Sequence, residues 1–326
     1  MFTQLIHPGR RHNPSTTQPQ SPQMHNPHPH LPVPAHAYVA LALSMTLVGS
    51  YVALSKPLVA VFPVFLLAWL RFGIGGLAML SWLKKPFDEP PLSPHTRWLL
   101  FAQSFFGNFL FSICMLAGVQ RTAASTAGVI MAALPAVVAI LGALLLKERL
   151  NTRALLAIAL AVIGIGAYAQ LAHQGGQSNT VGNTLVLAAV CCEAMYVVIG
   201  KRLSSHVSPK RVSALINLWG FALMTPLGLW AAQGFGWTEV GLSVWGLLVF
   251  YGLAASVWTV WLWMQGLRHV DAHHAGVFTV MLPISAAVVG IVFLGERMDG
   301  AQLAAFAAAL SGIALITTSR GGHLAK

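Results

Sequence analysis

This chain is short of charge. Asp and Glu number 8 and Lys and Arg 19 among 326 residues, so only 8% of positions are charged, where a soluble domain carries about 25%. That is too little to cover a water-facing surface, and it excludes a soluble globular protein. Cysteine is nearly absent too. Cys114, Cys191 and Cys192 all sit inside apolar runs and read as small packing residues, which excludes a disulfide frame or a cysteine metal site. No HExxH zinc helix and no GxSxG nucleophile elbow occurs. Without a convergent acid, base and nucleophile set, no catalytic residue, metal or cofactor is expected. Gly73-Ile74-Gly75-Gly76 resembles a phosphate loop only superficially, since it lies inside an apolar run where glycine serves close packing.

Long apolar runs are what the chain does have, with 56% of its residues hydrophobic. Residues 1–35 are the exception, a Pro- and His-rich stretch that reads as a disordered cytoplasmic tail. Its His25, His28 and His30 have no Cys or carboxylate near them to complete a metal site. Ten apolar segments follow, at 37–55, 62–83, 98–118, 123–146, 152–171, 181–200, 211–232, 244–267, 273–294 and 300–318. Each is long enough to cross hydrocarbon as a helix.

The later segments repeat the earlier ones. Ala127-Gly128-Val129, Leu134-Pro135 and Glu148-Arg149 return as Ala275-Gly276-Val277, Leu282-Pro283 and Glu296-Arg297, all shifted by 148 positions. Tyr51 and Lys56 return as Tyr196 and Lys201 at a shift of 145. The second segments match poorly, with only Phe72 against Phe221. A duplicated apolar unit is the usual build of a transporter. The charge-free loop 174–179 divides repeats at 36–173 and 180–320.

Basic residues orient the chain. With the N-terminus inside, the inner segments hold Arg10, Arg11, Lys84, Lys85, Arg97, Lys147, Arg149, Arg153, Lys201, Arg202, Lys210, Arg211, Arg268, Arg320 and Lys326. The outer segments hold Lys56, Arg121 and Arg297. The net charge of +11 is therefore a topology signal, and no nucleic-acid partner is expected. Both termini fall in the cytoplasm, and five spans per repeat make the second repeat inverted to the first.

The duplicated Ser125-Thr126-Ala127-Gly128, Leu134-Pro135, Glu148-Arg149 pattern, with Gly164-Ile165-Gly166 in the next segment, resembles the drug/metabolite transporter superfamily and specifically its EamA-type members. The resemblance covers about residues 40–318. It implies an all-α polytopic protein of ten transmembrane helices in two inverted five-helix repeats, in a bacterial inner membrane, exporting or exchanging small metabolites through a central cavity.

Ionisable groups at membrane depth are functional candidates by default, and two stand out. At 1.5 Å per residue, Glu193 lies about 12 Å from one membrane face and Arg71 about 13 Å from the other. In a core about 30 Å thick their depths differ by about 5 Å. Two arrangements stay open: Glu193 faces a cavity and binds a cationic group or a coupling proton, or Glu193 and Arg71 pair and lock two helices. A third option sends Arg71 to backbone carbonyls. Tyr196 and Gly200 share the Glu193 face, and Tyr51 mirrors Tyr196. Asn108 is a candidate cavity donor. Trp258 and Trp261 either stack on a planar or cationic substrate or pack against neighbours. Lys56, at a helix end, is expected to extend its ammonium to the interface. Pro135 and Pro283 free the Met131 and Thr279 carbonyls and are candidate hinges or static kinks. Ser125, Gly128, Ala132 and Pro135 form a small-residue packing face. His269, Asp271, His273 and His274 read as a solvated helix start.

The expected function is export of a small metabolite, an amino acid first, by alternating access of a midplane cavity, with the bilayer and a small-molecule substrate as partners. The alternatives are efflux of drugs or other cationic compounds and, more remotely, a non-transporting sensor or scaffold or a membrane-embedded enzyme. Proton coupling through Glu193 is one option for driving it.

Overall fold

Hydrocarbon offers the backbone no hydrogen bonds, so a chain of this composition has to satisfy its amides locally. A computed structural model describes residues 35–85, 87, 91–146, 179–203, 207–267 and 276–319, with isolated positions 159, 163, 164, 167, 168, 170 and 171. Every regular element among the described residues is helical. They are α1 (Ala35–Val61), α2 (Val64–Ala78), α3 (Pro94–Val119), α4 (Ala124–Leu145), α5 (Thr180–Leu203), α6 (Pro209–Ala232), α7 (242–267), α8 (Met281–Leu294) and α9 (Gly300–Ser319). Six of these, α1 and α3 to α7, are long and apolar enough to cross a membrane, while α2 and the stretch Phe278–Leu294 are shorter apolar helices. The tail 1–34, most of the expected span 152–171, Glu148-Arg149 and the histidines at 269, 273 and 274 lie outside the described residues.

The expected span 62–83 is not one helix. Pro63 caps α2, which ends at Ala78, and a separate 3-10 turn covers Leu80–Leu83. Proline has no amide to give to a preceding turn, so α2 starts behind it. Ser208 is the N-cap of α6, whose first residue is Pro209, and Pro63 and Ser208 are related by the 145 shift.

The expected mid-helix kinks also take a different form. α4 is interrupted by a turn at 132–133, and Pro135 stands in the first turn of its second segment, Leu134–Leu146. Likewise Pro283 stands in the first turn of α8, behind a 3-10 turn Gly276–Val280. A first-turn proline has no intrahelical bond to break. The chain breaks just before each proline and remains helical after it.

The strongest helix pairings all cross between the two repeats: α1 with α8 and α7, α2 with α6, α3 with α5, and α4 with α8 and α5. At the centre, small residues let α8 approach α1 and α4. A β-carbon on Gly49 would overlap the Leu282 carbonyl and the Ser285 hydroxyl, and one on Gly128 would overlap Ala286. Beyond this contact, Ala53, Ala124 and Val289 bury one another, with Leu54 and Leu294 packed against them.

A latch closes that end. The Glu296 carboxylate, just past α8, accepts the amides of Ala124 (2.6 Å) and Ser125 (2.8 Å) at the start of α4. Lys56 of α1 donates to it at 3.2 Å, so Lys56 is paired instead of reaching free toward the interface. Burial alone would raise the Glu296 pKa, but the Ser125 and Ala124 amides and the Lys56 charge outweigh it and hold the carboxyl below its usual range.

Two outcomes are expected. Gly49→Ala should destabilise the detergent-solubilised protein by about 2 kcal/mol, because a backbone carbonyl cannot yield to the new methyl; Gly246→Ala, which meets nothing within 4 Å, is the control in the same melting assay. A depressed folded pKa stabilises fully above the unfolded value and is lost as pH falls through the folded one. The melting gap between wild type and Glu296→Gln should therefore be full above about pH 4.3 and shrink at lower pH; a gap that grows on acidification would contradict the latch.

Candidate functional site

A cavity of about 380 Å³ lies between the repeats, walled by residues of α1 to α8. The walls correspond across the repeat. Gly107, Asn108 and Phe111 of α3 are matched at the 148 shift by Ala255, Ser256 and Thr259 of α7, and all six line the cavity. Tyr51 and Tyr196 line it at the 145 shift, and so do Met131 with Thr279 and Leu134 with Leu282 at 148. Met131 and Thr279 lie just before the proline-headed segments of α4 and α8.

The backbone adds a second correspondence. Both α3 and α7 carry a π-turn at the cavity, at Phe105–Leu110 and Ala254–Trp258, and these positions coincide under the same shift of 148. π-turns misalign backbone bonds and are frequent at functional sites. Hydroxyl and amide side chains beside both turns donate to backbone carbonyls. Ser104 and Asn108 both donate to the Ile216 carbonyl, at 2.6 and 2.8 Å. Thr259 donates to the Ala254 carbonyl at 2.8 Å, and Ser44 donates to the Thr259 carbonyl at 2.8 Å. The tyrosines are held by matching partners as well. Tyr51 meets Tyr251 edge to face at 5.9 Å, and the Tyr196 carbonyl accepts from Gln103, the repeat mate of Tyr251, at 3.4 Å.

Charge breaks this correspondence. Glu193 occupies the α5 position whose α1 counterpart is Val48, and Arg71 of α2 corresponds to Ile216 of α6; all four line the cavity. Among the described residues Glu193 and Arg71 form no salt bridge with each other, so the interlocking pair considered from the sequence is not what they make. Arg71 is 5% exposed. Its Nη2 donates to Ser112 at 2.8 Å, and its guanidinium lies 4.3 Å from the Phe72 ring centre. Its Nε has no hydrogen-bond partner among the described residues. A buried guanidinium with a spare donor is a ready anion contact.

The structure thus brings Glu193, Tyr196, Tyr51, Arg71, Asn108 and Pro135 to one cavity. Gly200, on the Glu193 face, packs against Gln103. Pro283 is buried in the α4–α8 contact, with its carbonyl near Gly128. Trp258 does not line the cavity. It is 38% exposed with its ring against Phe250, and Trp261 is 43% exposed. Trp263 and Val260 line the wall instead. The α7 lining residues Ser256, Thr259, Val260 and Trp263 recur at regular helical spacing, which leaves Trp258 on another face. In the sequence Glu296 stands out only as a repeat marker. The signal that could have singled it out is its place just past an apolar run, opposite the start of another.

The profile of the EamA-like transporter family matches this chain twice, at residues 36–168 and 180–318. A Bacillus subtilis (strain 168) protein described as the uncharacterized transporter YetK is 36% identical over 284 residues, 85% of each chain. A Salmonella typhimurium (strain LT2) protein described as a probable amino-acid metabolite efflux pump is 26% identical over 260 residues, 77% of this chain and 84% of that one. The threonine/homoserine exporter RhtA of Salmonella typhimurium (strain SL1344) is 29% identical over 158 residues, 47% of this chain and 51% of its own. A solved crystal structure shares the fold with a TM-score of 0.62 at 20% identity, over 87% of this chain and 97% of that one. The double profile match and the long apolar helices make this a multi-pass membrane transporter and not an enzyme: the chain belongs to the EamA-like transporter family.

Proposed function

We propose that this protein exports zwitterionic amino acids or closely related metabolites across a bacterial plasma membrane, by alternating access of the cavity between two inverted five-helix repeats. The carrying observation is that one guanidinium, Arg71, and one carboxyl group, Glu193, line the same cavity without forming a salt bridge with each other. A desolvated charge left without a direct partner is costly. A ligand carrying both charges supplies both partners at once: its carboxylate goes to Arg71 and its ammonium to Glu193. Asn108 has an amide oxygen left to accept from the ligand after its own donation to Ile216. Tyr51 and Tyr196 flank the site, and apolar wall residues such as Val48, Leu134 and Leu282 take the side chain. Pro135 and Pro283 head the segments that swing as the cavity changes sides. The Salmonella relatives described as amino-acid exporters favour the same cargo and the outward direction.

Both termini are placed in the cytoplasm by the distribution of Lys and Arg. Efflux of purely cationic compounds is disfavoured, because Arg71 would face the cation at close range. Among the described residues Glu193 is also the one carboxylate in the cavity, so a proton that displaces the substrate ammonium there would couple the two fluxes as an exchange.

Counterflow of a labelled amino-acid panel in proteoliposomes, with and without a pH gradient, tests this. Glu193→Gln and Arg71→Gln should each reduce amino-acid transport at least about tenfold, the usual scale for one charge-assisted contact. N-acetylated substrates, which lack the ammonium, should not move through the wild type. Transport of the N-acetyl forms as fast as the free amino acids would refute the two-charge site.

A further inference from the structure

The latch of Lys56, Glu296 and the start of α4 plays no part in holding a substrate. We infer that it is the closed outer gate of the carrier, and that the structure is a state shut at the latch end with its cavity displaced toward the other end. The inference rests on the alternating-access reading.

Three observations carry it. First, the cavity avoids the latch. On α4 its wall begins at Met131, past the latch residues Ala124 and Ser125, and runs to Val138. On α8 it reaches only Leu282, near the helix start, while Glu296 stands beyond the helix end. On α6 it uses Ser213, Ile216 and Asn217, all within the first turns after Pro209. In the orientation set by the basic residues, those parts of α4, α6 and α8 are the cytoplasmic ones. Second, the space between cavity and latch is filled. Ala53, Ala124 and Val289 form a plug of α1, α4 and α8, and Gly49 and Gly128 seat α8 directly against α1 and α4. Small side chains make a smooth contact that can part without unthreading large ones. Third, the latch is the polar tie across that contact. One carboxylate of the second repeat holds two helices of the first, through backbone amides of α4 and the ammonium of α1. Lys56 keeps 35% of its side chain exposed, so water stands ready to take over its hydrogen bonds when the contact opens.

A static helix cap and a gate make different predictions. In a protein with Cys114, Cys191 and Cys192 replaced by serine, Val48→Cys places a thiol on the cavity wall. Intact cells are then treated with a membrane-impermeant methanethiosulfonate from the face opposite the N-terminus. Labelling of this thiol should be slow with the latch intact. Lys56→Met removes only the ion pair and leaves both amide contacts, so it should speed labelling by up to about fivefold. Glu296→Gln weakens all three contacts and should speed it by about tenfold or more. Fast labelling with the latch intact would overturn the inference. Unchanged labelling in both variants, with a lower melting temperature, would overturn it too, because it would mark Glu296 as a structural cap alone. The readout needs no substrate. A latch response without any counterflow therefore separates failure of the substrate assignment from failure of the gate.

Discussion

A polar group inside hydrocarbon has no water to turn to, and many of the buried polar side chains bond a backbone carbonyl instead. Ser50 and Thr225 return their hydroxyls to carbonyls four residues back in their own helices. Ser44, Ser104 and Asn108 instead reach across to carbonyls of neighbouring helices. Asn217 donates to the Phe72 carbonyl at 2.9 Å and so ties α6 to α2. At the α7 π-turn the Ala254 carbonyl accepts the Thr259 hydroxyl, as backbone that is not regularly helical at membrane depth needs a further partner.

The same constraint explains why symmetry stops at the charges. Apolar and hydroxyl-bearing walls can be duplicated freely, and Gly107 with Ala255 or Leu134 with Leu282 show it. A duplicated carboxylate would set two like charges across one small, poorly solvated space, which is strongly unfavourable. One repeat therefore carries Glu193 against Val48, and the other carries Arg71 against Ile216. The cavity wall repeats its apolar and hydroxyl positions, while its carboxyl and its guanidinium come one from each repeat.

Much of this could be read from the residues. Depth arithmetic put Glu193 and Arg71 at nearly one level, and the repeat put Tyr51 opposite Tyr196. The proline argument picked out Met131 and Thr279, both of which face the cavity. What stayed hidden depends on tertiary contact. A π-turn has no residue signature, and the packing of Trp258 on Phe250, which leaves Trp263 on the cavity wall, is set by tertiary contact. The division of residues 62–83 into α2 and a 3-10 turn was equally invisible to hydropathy, which registers apolar content and not backbone continuity. Lys56 and Glu296 are 240 positions apart, and only the close seating of α8 on α1 brings them together.

The presence of Arg71 and Glu193 in one cavity also sets how the carrier feels voltage. With Glu193 ionised the two side chains sum to zero, and a zwitterion adds nothing to that sum. The membrane potential, worth about 2.3 kcal/mol per elementary charge per 100 mV, then has no net charge to act on. In the proposed proton exchange, the carrier returns with Glu193 protonated and Arg71 uncompensated, so that step moves one positive charge and the voltage acts on it alone.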